Sequence, residues 1–297
     1  MSFSSAHAFE RNVGLIDRDE QATLSRSRVG IAGCGGVGGV HAHTLVRLGI
    51  GGYRLADPDR FSLSNFNRQI GATVETLGEP KTHVTARMVR SINPEADVEV
   101  FDAAIGRDNV DAFLAGLDLV IDGLDFFALP ARRVLYRAAR EHGVPVVVAA
   151  PLGFSGTLHV FRVESMSFDE YFDLHDGQDP YDQYVNFLLG LAPAGLHATY
   201  TDISTADPAT GRGPSSIIGT QLAACVAGAE AIRILLGRGP SFEAPRYLQV
   251  DVYRHRMCSR RLRGGCRHPL QRLKKLFLKR YLAGHGLDVA LQRLDPA

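Results

Sequence analysis

The sequence predicts an α/β fold, a Rossmann-like, doubly wound and mostly parallel sheet, on three observations. Short apolar runs alternate with helical segments across residues 28–150, the pattern of a parallel sheet covered by helices. A glycine turn, Gly33-Cys34-Gly35-Gly36-Val37-Gly38, follows the first run and opens a helical segment. Asp57 closes the second run, 19 residues after the last of those glycines. Strand, glycine turn, helix and acid in that register make a nucleotide-binding unit.

The elements follow in order. A helix near 17–26 precedes the first strand, Arg28-Val29-Gly30-Ile31-Ala32. Glycines let the backbone turn tightly or approach a ligand, and the N-terminus of the helix at 38–48 offers free N–H groups to an anion. The second strand, near 52–57, ends in Leu55-Ala56-Asp57, which sets the Asp57 carboxylate to accept from ribose hydroxyls. Helices near 81–92, 108–115 and 127–142 alternate with strands near 97–101, 117–121 and 145–150. Beyond Gly156 the pattern changes. Gly156–Val163 and Arg246–Val252 read as strands of an antiparallel extension, with a helix at 216–236 between them. The stretch Ser165–Ser216 is rich in Asp, Tyr, Pro and Gly and reads as a long irregular segment, a kind that is usually functional or mobile.

Just past Asp57 comes Ser64-Asn65-Phe66-Asn67-Arg68-Gln69, and Lys81 opens the helix at 81–92 after Glu79-Pro80. An amide, a guanidinium fork and an ammonium suit the oxygens of a triphosphate, which a plain dinucleotide fold does not need. Asp125 follows the strand at 117–121, at the carboxyl end where open α/β sheets bind ligands. A carboxylate there suits Mg²⁺, which takes one or two protein oxygens beside phosphate and water. Asp125 also suits a helix N-cap, and Asp122 reads as structural.

Together Gly33-x-Gly35-Gly36-x-Gly38, Asp57-x-Asp59, Ser64-Asn65-x-x-Arg68-Gln69, Lys81 and Asp122-x-x-Asp125 resemble the ThiF/MoeB/HesA superfamily, which includes the catalytic fold of ubiquitin-activating enzymes. The resemblance runs from about Glu10 to about Asp251. It implies adenylation of a carboxylate by ATP and Mg²⁺, usually in a homodimer. It makes Gly33, Gly35, Gly36, Gly38 and Asp57 nucleotide contacts, Asn65, Arg68 and Lys81 phosphate handlers, and Asp125 the metal carboxylate. Arg11 resembles the family's N-terminal arginine that reaches into the partner's site. Ser165–Ser216 matches the family's crossover loop by position, which makes His197, Tyr200 and Asp202 candidate substrate contacts beside their reading as ordinary loop residues. One departure is Phe126-Phe127 after Asp125, where many relatives have an asparagine. It leaves the metal role and changes the neighbouring pocket.

The cysteines argue against two variants of this chemistry and leave sulfur transfer through them open but unsupported. Cys34, Cys225, Cys258 and Cys266 contain no Cys-x-x-Cys pair, so a structural zinc site is not expected. None lies in Ser165–Ser216, the stretch in or beside which, by the resemblance, thioester-forming relatives carry their cysteine, so adenylation without an enzyme thioester is expected. Cys34 in the turn and Cys225 on the apolar helix read as inert small hydrophobes.

Hydrophobic content of 45% and charged content of 22% are globular values. The segment Ile217–Leu236 is interrupted by Gln221, Glu230 and Arg233 and reads as a buried helix, so no integral membrane segment is expected. Met1–Ala8 lacks the pattern of a signal peptide, and a cytoplasmic location follows. Between Asp251 and Asp288 lie 11 Lys and Arg and no acid; removing them from the net charge of +1 leaves −10. Leu270, Leu273, Phe277 and Tyr281 at helical spacing, interleaved with Arg272, Lys275 and Lys279, predict a basic amphipathic helix. It docks on the acidic body, or offers a surface to an acidic carrier protein or peptide or, after that, to an anionic membrane; nucleic acid is not the expected partner. The expected division is an adenylation domain at 1–253 and a basic helical appendage at 254–297. The function expected is ATP-dependent adenylation of a protein or peptide C-terminus, a ubiquitin-like sulfur carrier or a small metabolite. The alternatives are an NAD(P)-dependent oxidoreductase and a non-catalytic nucleotide-binding scaffold.

Overall fold

A computed structural model describes residues 3–293. The first two residues of the expected adenylation domain and the last four of the expected appendage lie outside the described residues. The chain enters through α1 (Ser5–Ala8) and α2 (Arg18–Arg26). A reciprocal capping box starts α2: Asp17 Oδ1 accepts from Glu20 N at 2.8 Å, and Asp17 N donates to Glu20 Oε2 at 2.7 Å. Then follow β1 (Arg28–Ala32), α3 (Gly36–Arg47), β2 (Gly52–Ala56), α4 (Lys81–Ile92), β3 (Asp97–Phe101), α5 (Val110–Leu114), β4 (Leu119–Asp122), α6 (Leu129–Glu141) and β5 (Val146–Val148). The second half holds β6 (Pro151–Leu152), β7 (Ser155–Phe161), α7 (Phe168–Phe172), α8 (Pro180–Leu191), α9 (Ile217–Leu235), β8 (Arg246–Asp251), β9 (Arg256–Arg261), α10 (Pro269–Gly284) and α11 (Leu287–Gln292).

The strands form one sheet in the order β3-β2-β1-β4-β5-β7-β8-β9, with β6 paired to β7. The pairs from β3 to β5 are parallel, and those from β5 through β9 are antiparallel. This is the doubly wound sheet with an antiparallel extension that the alternation predicts. Side-chain alternation divides the core between two faces. Val29, Ile31, Leu119, Ile121 and Val147 face one core with residues of α2, α3, α4 and α9. Val120, Val146, Val148 and Phe161 face the other, with residues of α5, α6, α7, α8, α10 and α11. The order reverses about β1, which lies between β2 and β4. A crevice therefore opens at the carboxyl ends of these strands.

Two expectations are corrected. The stretch Ser165–Ser216 is only partly irregular, because α7 and α8 lie in it. Tyr181, Tyr184, Val185, Phe187 and Leu191 fall at helical spacing and are buried, and that apolar stripe holds α8 in place. The appendage expected from 254 begins as a sheet strand, since β9 pairs with β8 along its full length. The basic helix docks on the body, one of the two readings, and does not use its Leu270, Leu273 and Phe277 stripe to do so. Leu270, Leu273 and Phe277 are exposed, whereas Gln271 and Leu282 are buried. Lys275 and Lys279 turn inward to Asp182 at 2.8 and 2.7 Å, and Lys274 Nζ donates to Pro193 O at 2.5 Å. Long lysine stems cover apolar surface while their ammoniums reach an acceptor, so charge did not mark the solvent face.

Helix α9 is, among the described residues, the one helix long and apolar enough to cross a membrane. Here it packs on α3 and β7. Its Ala223, Ala227 and Ala231 are buried, and the buried Glu230 accepts from Phe242 N at 2.7 Å.

Candidate active site

Two glycines of the turn are required by the backbone itself. Gly33 has φ +89°, and a Cβ on Gly38 would collide with the Gly33 carbonyl oxygen. Gly35 and Gly36 are different. A Cβ at Gly35 would meet Gln69 at 3.5 Å, and one at Gly36 would meet Thr220 at 3.5 Å, both ordinary contacts. No neighbouring atom demands glycine at either position. Both line a cavity of about 460 Å³, and a side chain there would fill the space a ligand needs. Asp57 bridges this turn to β2: its Oδ2 accepts from Cys34 N at 2.6 Å and its Oδ1 from Asp59 N at 2.8 Å. Burial pushes the Asp57 carboxyl up from its ordinary value, against the pull of Lys81 and the two amides.

Lys81 is buried, 6% exposed, and its Nζ is held 2.8 Å from Asp59 Oδ2. Arg68 is half-buried in the same cavity wall, and its Nη1 donates to Ser64 O at 2.9 Å and Asn67 Oδ1 at 3.0 Å. Burial lowers the Arg68 guanidinium from its ordinary value, while the charge of Asp125 works in the other direction. Asn65, expected beside them, does not line the cavity. It is buried, and its Oδ1 accepts from Ser62 N at 2.9 Å, closing a 3-10 turn at Leu63–Asn65. Gln69 takes the position instead: it is buried in the cavity wall, and its Oε1 has no protein partner.

Asp125 is exposed at the cavity wall in the loop between β4 and α6. It is not the cap of α6, whose N-cap is Ala128; Asp125 Oδ1 accepts instead from Phe127 N at 2.9 Å. Asp122 is structural, as its burial among donors requires. Arg132 Nε donates to its Oδ2 at 2.7 Å, Tyr136 OH to the same oxygen at 2.9 Å, and Leu124 N to Oδ1 at 3.0 Å. Arg132 also donates to the carbonyls of Leu124 and Asp125 at 2.7 and 3.1 Å. Burial works against its charge, but Asp122 more than offsets this and the guanidinium is raised. Arg132 thereby fixes the loop that carries Asp125. Sequence reasoning missed it; the available signal was an arginine within the stripe Leu129, Arg132, Leu135, Tyr136, all buried.

The three candidates near residue 200 separate. His197 lines the cavity; burial pulls its imidazole down to about 4. Tyr200 latches the fold, its OH donating to Asp251 Oδ2 at 2.8 Å and accepting from Phe154 N at 3.0 Å. Asp202 caps its own turn through Ser204. Arg11 is exposed and does not line this cavity. No cysteine lines it either. Cys34 is buried and burial raises its thiol, and Cys266 is pushed up to about 12 by the same cause. Cys225, expected to be buried, is exposed on α9.

A family model described as the ThiF family matches residues 9–271. The chain belongs to the ThiF family. Among its ThiF-family relatives, the SAMP-activating enzyme E1 of Haloferax volcanii is 35% identical over 141 residues, 48% of this chain and 52% of that protein. The sulfur carrier protein adenylyltransferase of Thermus thermophilus is 35% identical over 147 residues, 50% of this chain and 54% of that one. The tRNA threonylcarbamoyladenosine dehydratase of Bacillus subtilis is 37% identical over 120 residues, 40% and 47% of the two chains. The chain thus spans about half the length of these curated relatives. The ThiF fold is matched more widely. PaaA superposes with a TM-score of 0.65 at 19% identity, covering 88% of this chain and 74% of the other. MccB of E. coli, solved with ATP, gives 0.62 at 16% identity, with 83% and 67% covered.

Proposed function

We propose that this chain is an ATP-dependent adenylyltransferase that activates a carboxylate. The observation that carries the reading is the convergence of Arg68, Gln69, Lys81 and Asp125 on the cavity whose floor is the side-chain-free Gly35-Gly36. The nucleotide phosphates lie over Gly35, Gly36 and the N-terminus of α3. Asp57 accepts from the ribose. Arg68 and Lys81 neutralise the charge that builds on the phosphates, and the buried Gln69 supplies a neutral contact. A carboxylate oxygen attacks the α-phosphorus, the bond from that phosphorus to the α–β bridging oxygen breaks, and its electron pair leaves with pyrophosphate. The product is an acyl-adenylate.

Asp125 fits Mg²⁺: it is an exposed carboxylate on a loop fixed by Arg132, and one of its oxygens is not occupied by the Phe127 amide. Bound there with the phosphates, the metal would supply charge neutralisation. With no thiol in the cavity, the adenylate forms without an enzyme thioester. The names of two relatives, a SAMP-activating enzyme and a sulfur carrier protein adenylyltransferase, support a carrier protein among the carboxylates to be tested, beside peptides and small acids. The activity is placed in the cytoplasm, where ATP is available.

Incubation with ATP, Mg²⁺ and candidate carboxylates tests the reading. Carboxylate-dependent pyrophosphate exchange supports it. Hydride transfer from NAD(P)H would replace it with an oxidoreductase, and nucleotide binding with neither activity would leave a scaffold. We further propose a homodimer in which Arg11 acts on the partner's phosphates. Arg11→Ala should lower activity strongly without unfolding. Mixing it with Asp125→Ala should restore part of the activity, since one hybrid site is wild type at both positions. No recovery despite subunit exchange would make Arg11 a same-chain or structural residue.

A further inference from the structure

The cavity wall changes character along the sheet. Asp57, Asp59, Arg68, Lys81, Asp122, Asp125 and Arg132 are its Asp, Lys and Arg residues, and all precede β5. From Val148 onward the wall contains no Asp, Glu, Lys or Arg among the described residues. His197 is its one ionisable imidazole, and burial holds it neutral at pH 7. Strand order assigns the two ends. The glycine turn follows β1, the ribose acid follows β2 and Ile105 follows β3, so the nucleotide extends from β1 toward β3. The acyl group then lies on the other side of Asp125, beyond β4 and β5. The wall there is Phe126, Tyr184, Leu188 and Leu191, closed by Leu287 and Leu291 of α11. Both of these leucines are at most 7% exposed, yet face the cavity.

Resting on the adenylation reading, the geometry points to a substrate whose carboxylate is joined to an apolar body: an apolar free acid or the apolar C-terminal residue of a peptide. A Gly-Gly terminus would leave this chamber unfilled, and each buried methylene it lacks is lost binding. A free α-ammonium would have no carboxylate partner from β5 onward. The C-terminal helices are accordingly part of the acyl site.

The test is ATP–pyrophosphate exchange with acetate, hexanoate, 3-phenylpropionate, acetyl-Gly-Leu and acetyl-Gly-Gly, with ATP affinity measured separately by calorimetry. Hexanoate or 3-phenylpropionate should exceed acetate, or acetyl-Gly-Leu exceed acetyl-Gly-Gly, by at least about tenfold in kcat/KM. Which pair responds tells free acid from peptide. Leu287→Asp should raise the KM for the apolar substrate at least about tenfold and leave the ATP affinity unchanged. Should that variant not fold, Leu188→Trp, which fills the chamber from α8, should do the same. Exchange in which acetyl-Gly-Gly or acetate matches the apolar substrates, unmoved by Leu188→Trp, overturns the apolar chamber and leaves adenylation standing. ATP binding with no exchange for any carboxylate overturns both.

Discussion

The cavity has two walls of different make. The wall from β1 to α6 is built of charged side chains, each held by a backbone amide, carbonyl or counter-ion: Asp57 by Cys34 and Asp59, Lys81 by Asp59, Asp122 by Arg132. The wall from β5 to α11 is mostly aliphatic and aromatic, with His197, Thr201, Ser215 and Thr220 as its polar members, and is held by packing among α7, α8, α10 and α11. The first is suited to a polyanion in a fixed pose, the second to an apolar body that excludes water. The difference teaches that one sheet can build a charged wall and a mostly apolar wall around one cavity, with Asp125 at the seam.

The sharpest way to break the polar wall is to contrast two of its glycines. Gly38→Ala places a methyl against the Gly33 carbonyl oxygen and should abolish folding. Gly36→Val has only ordinary neighbours and should fold, yet fail to bind ATP. Circular dichroism with ATP calorimetry on each variant checks this, and ATP binding by Gly36→Val would deny the cavity its nucleotide.

The seam gives the next effect. Arg132→Ala leaves Asp122 buried without its counter-ion, a loss of about 3–5 kcal/mol in urea unfolding. Arg132→Lys keeps the charge but loses the fork that reaches the Leu124 and Asp125 carbonyls, and should fold while losing activity. A stability of Arg132→Ala within about 1 kcal/mol of wild type would deny the network its structural role.

This contrast also explains what the sequence disclosed. The polar wall was legible because its positions answer local demands: a positive φ at Gly33, a close approach at Gly38, a carboxylate at the end of β2. The parallel sheet followed from alternation. Asn65 misled because Asn65 and Gln69 have the same chemistry, and only the 3-10 turn at Ser62 decides which amide faces the cavity. The apolar wall was not legible. Its leucines come from helices about 100 residues apart in the chain, α8 and α11, and no local pattern distinguishes a leucine that lines a cavity from one in a core. For α10, charge does not mark the outer face, because Asp182 draws Lys275 and Lys279 inward.

Acid gives a smaller effect, on the fold around the cavity. Burial lowers His41 and His159 to about 3 and His197 to about 4. Below pH 6.5 the unfolded chain binds protons that the native histidines do not, so stability falls as pH falls from 6.5 toward those values. Each histidine contributes on the order of 1 kcal/mol per pH unit. Two of the three, His159 and His197, lie past β5. Asp57 and Glu230, raised by burial, act in the opposite sense at lower pH. Urea unfolding between about pH 5 and 6.5 should show this slope, and His159→Phe should reduce it by about one proton. An unchanged slope would mean that His159 protonates freely in the folded state.

The most direct measurement is carboxylate-dependent ATP–pyrophosphate exchange by the wild-type chain and Asp125→Ala side by side, with melting temperature as the folding control. Adenylation at this cavity predicts exchange that requires Mg²⁺ and a carboxylate in the wild type. It predicts a fall of roughly 100-fold or more in the variant at unchanged melting temperature. Equal exchange in both proteins, or none in the wild type with any carboxylate, would contradict it.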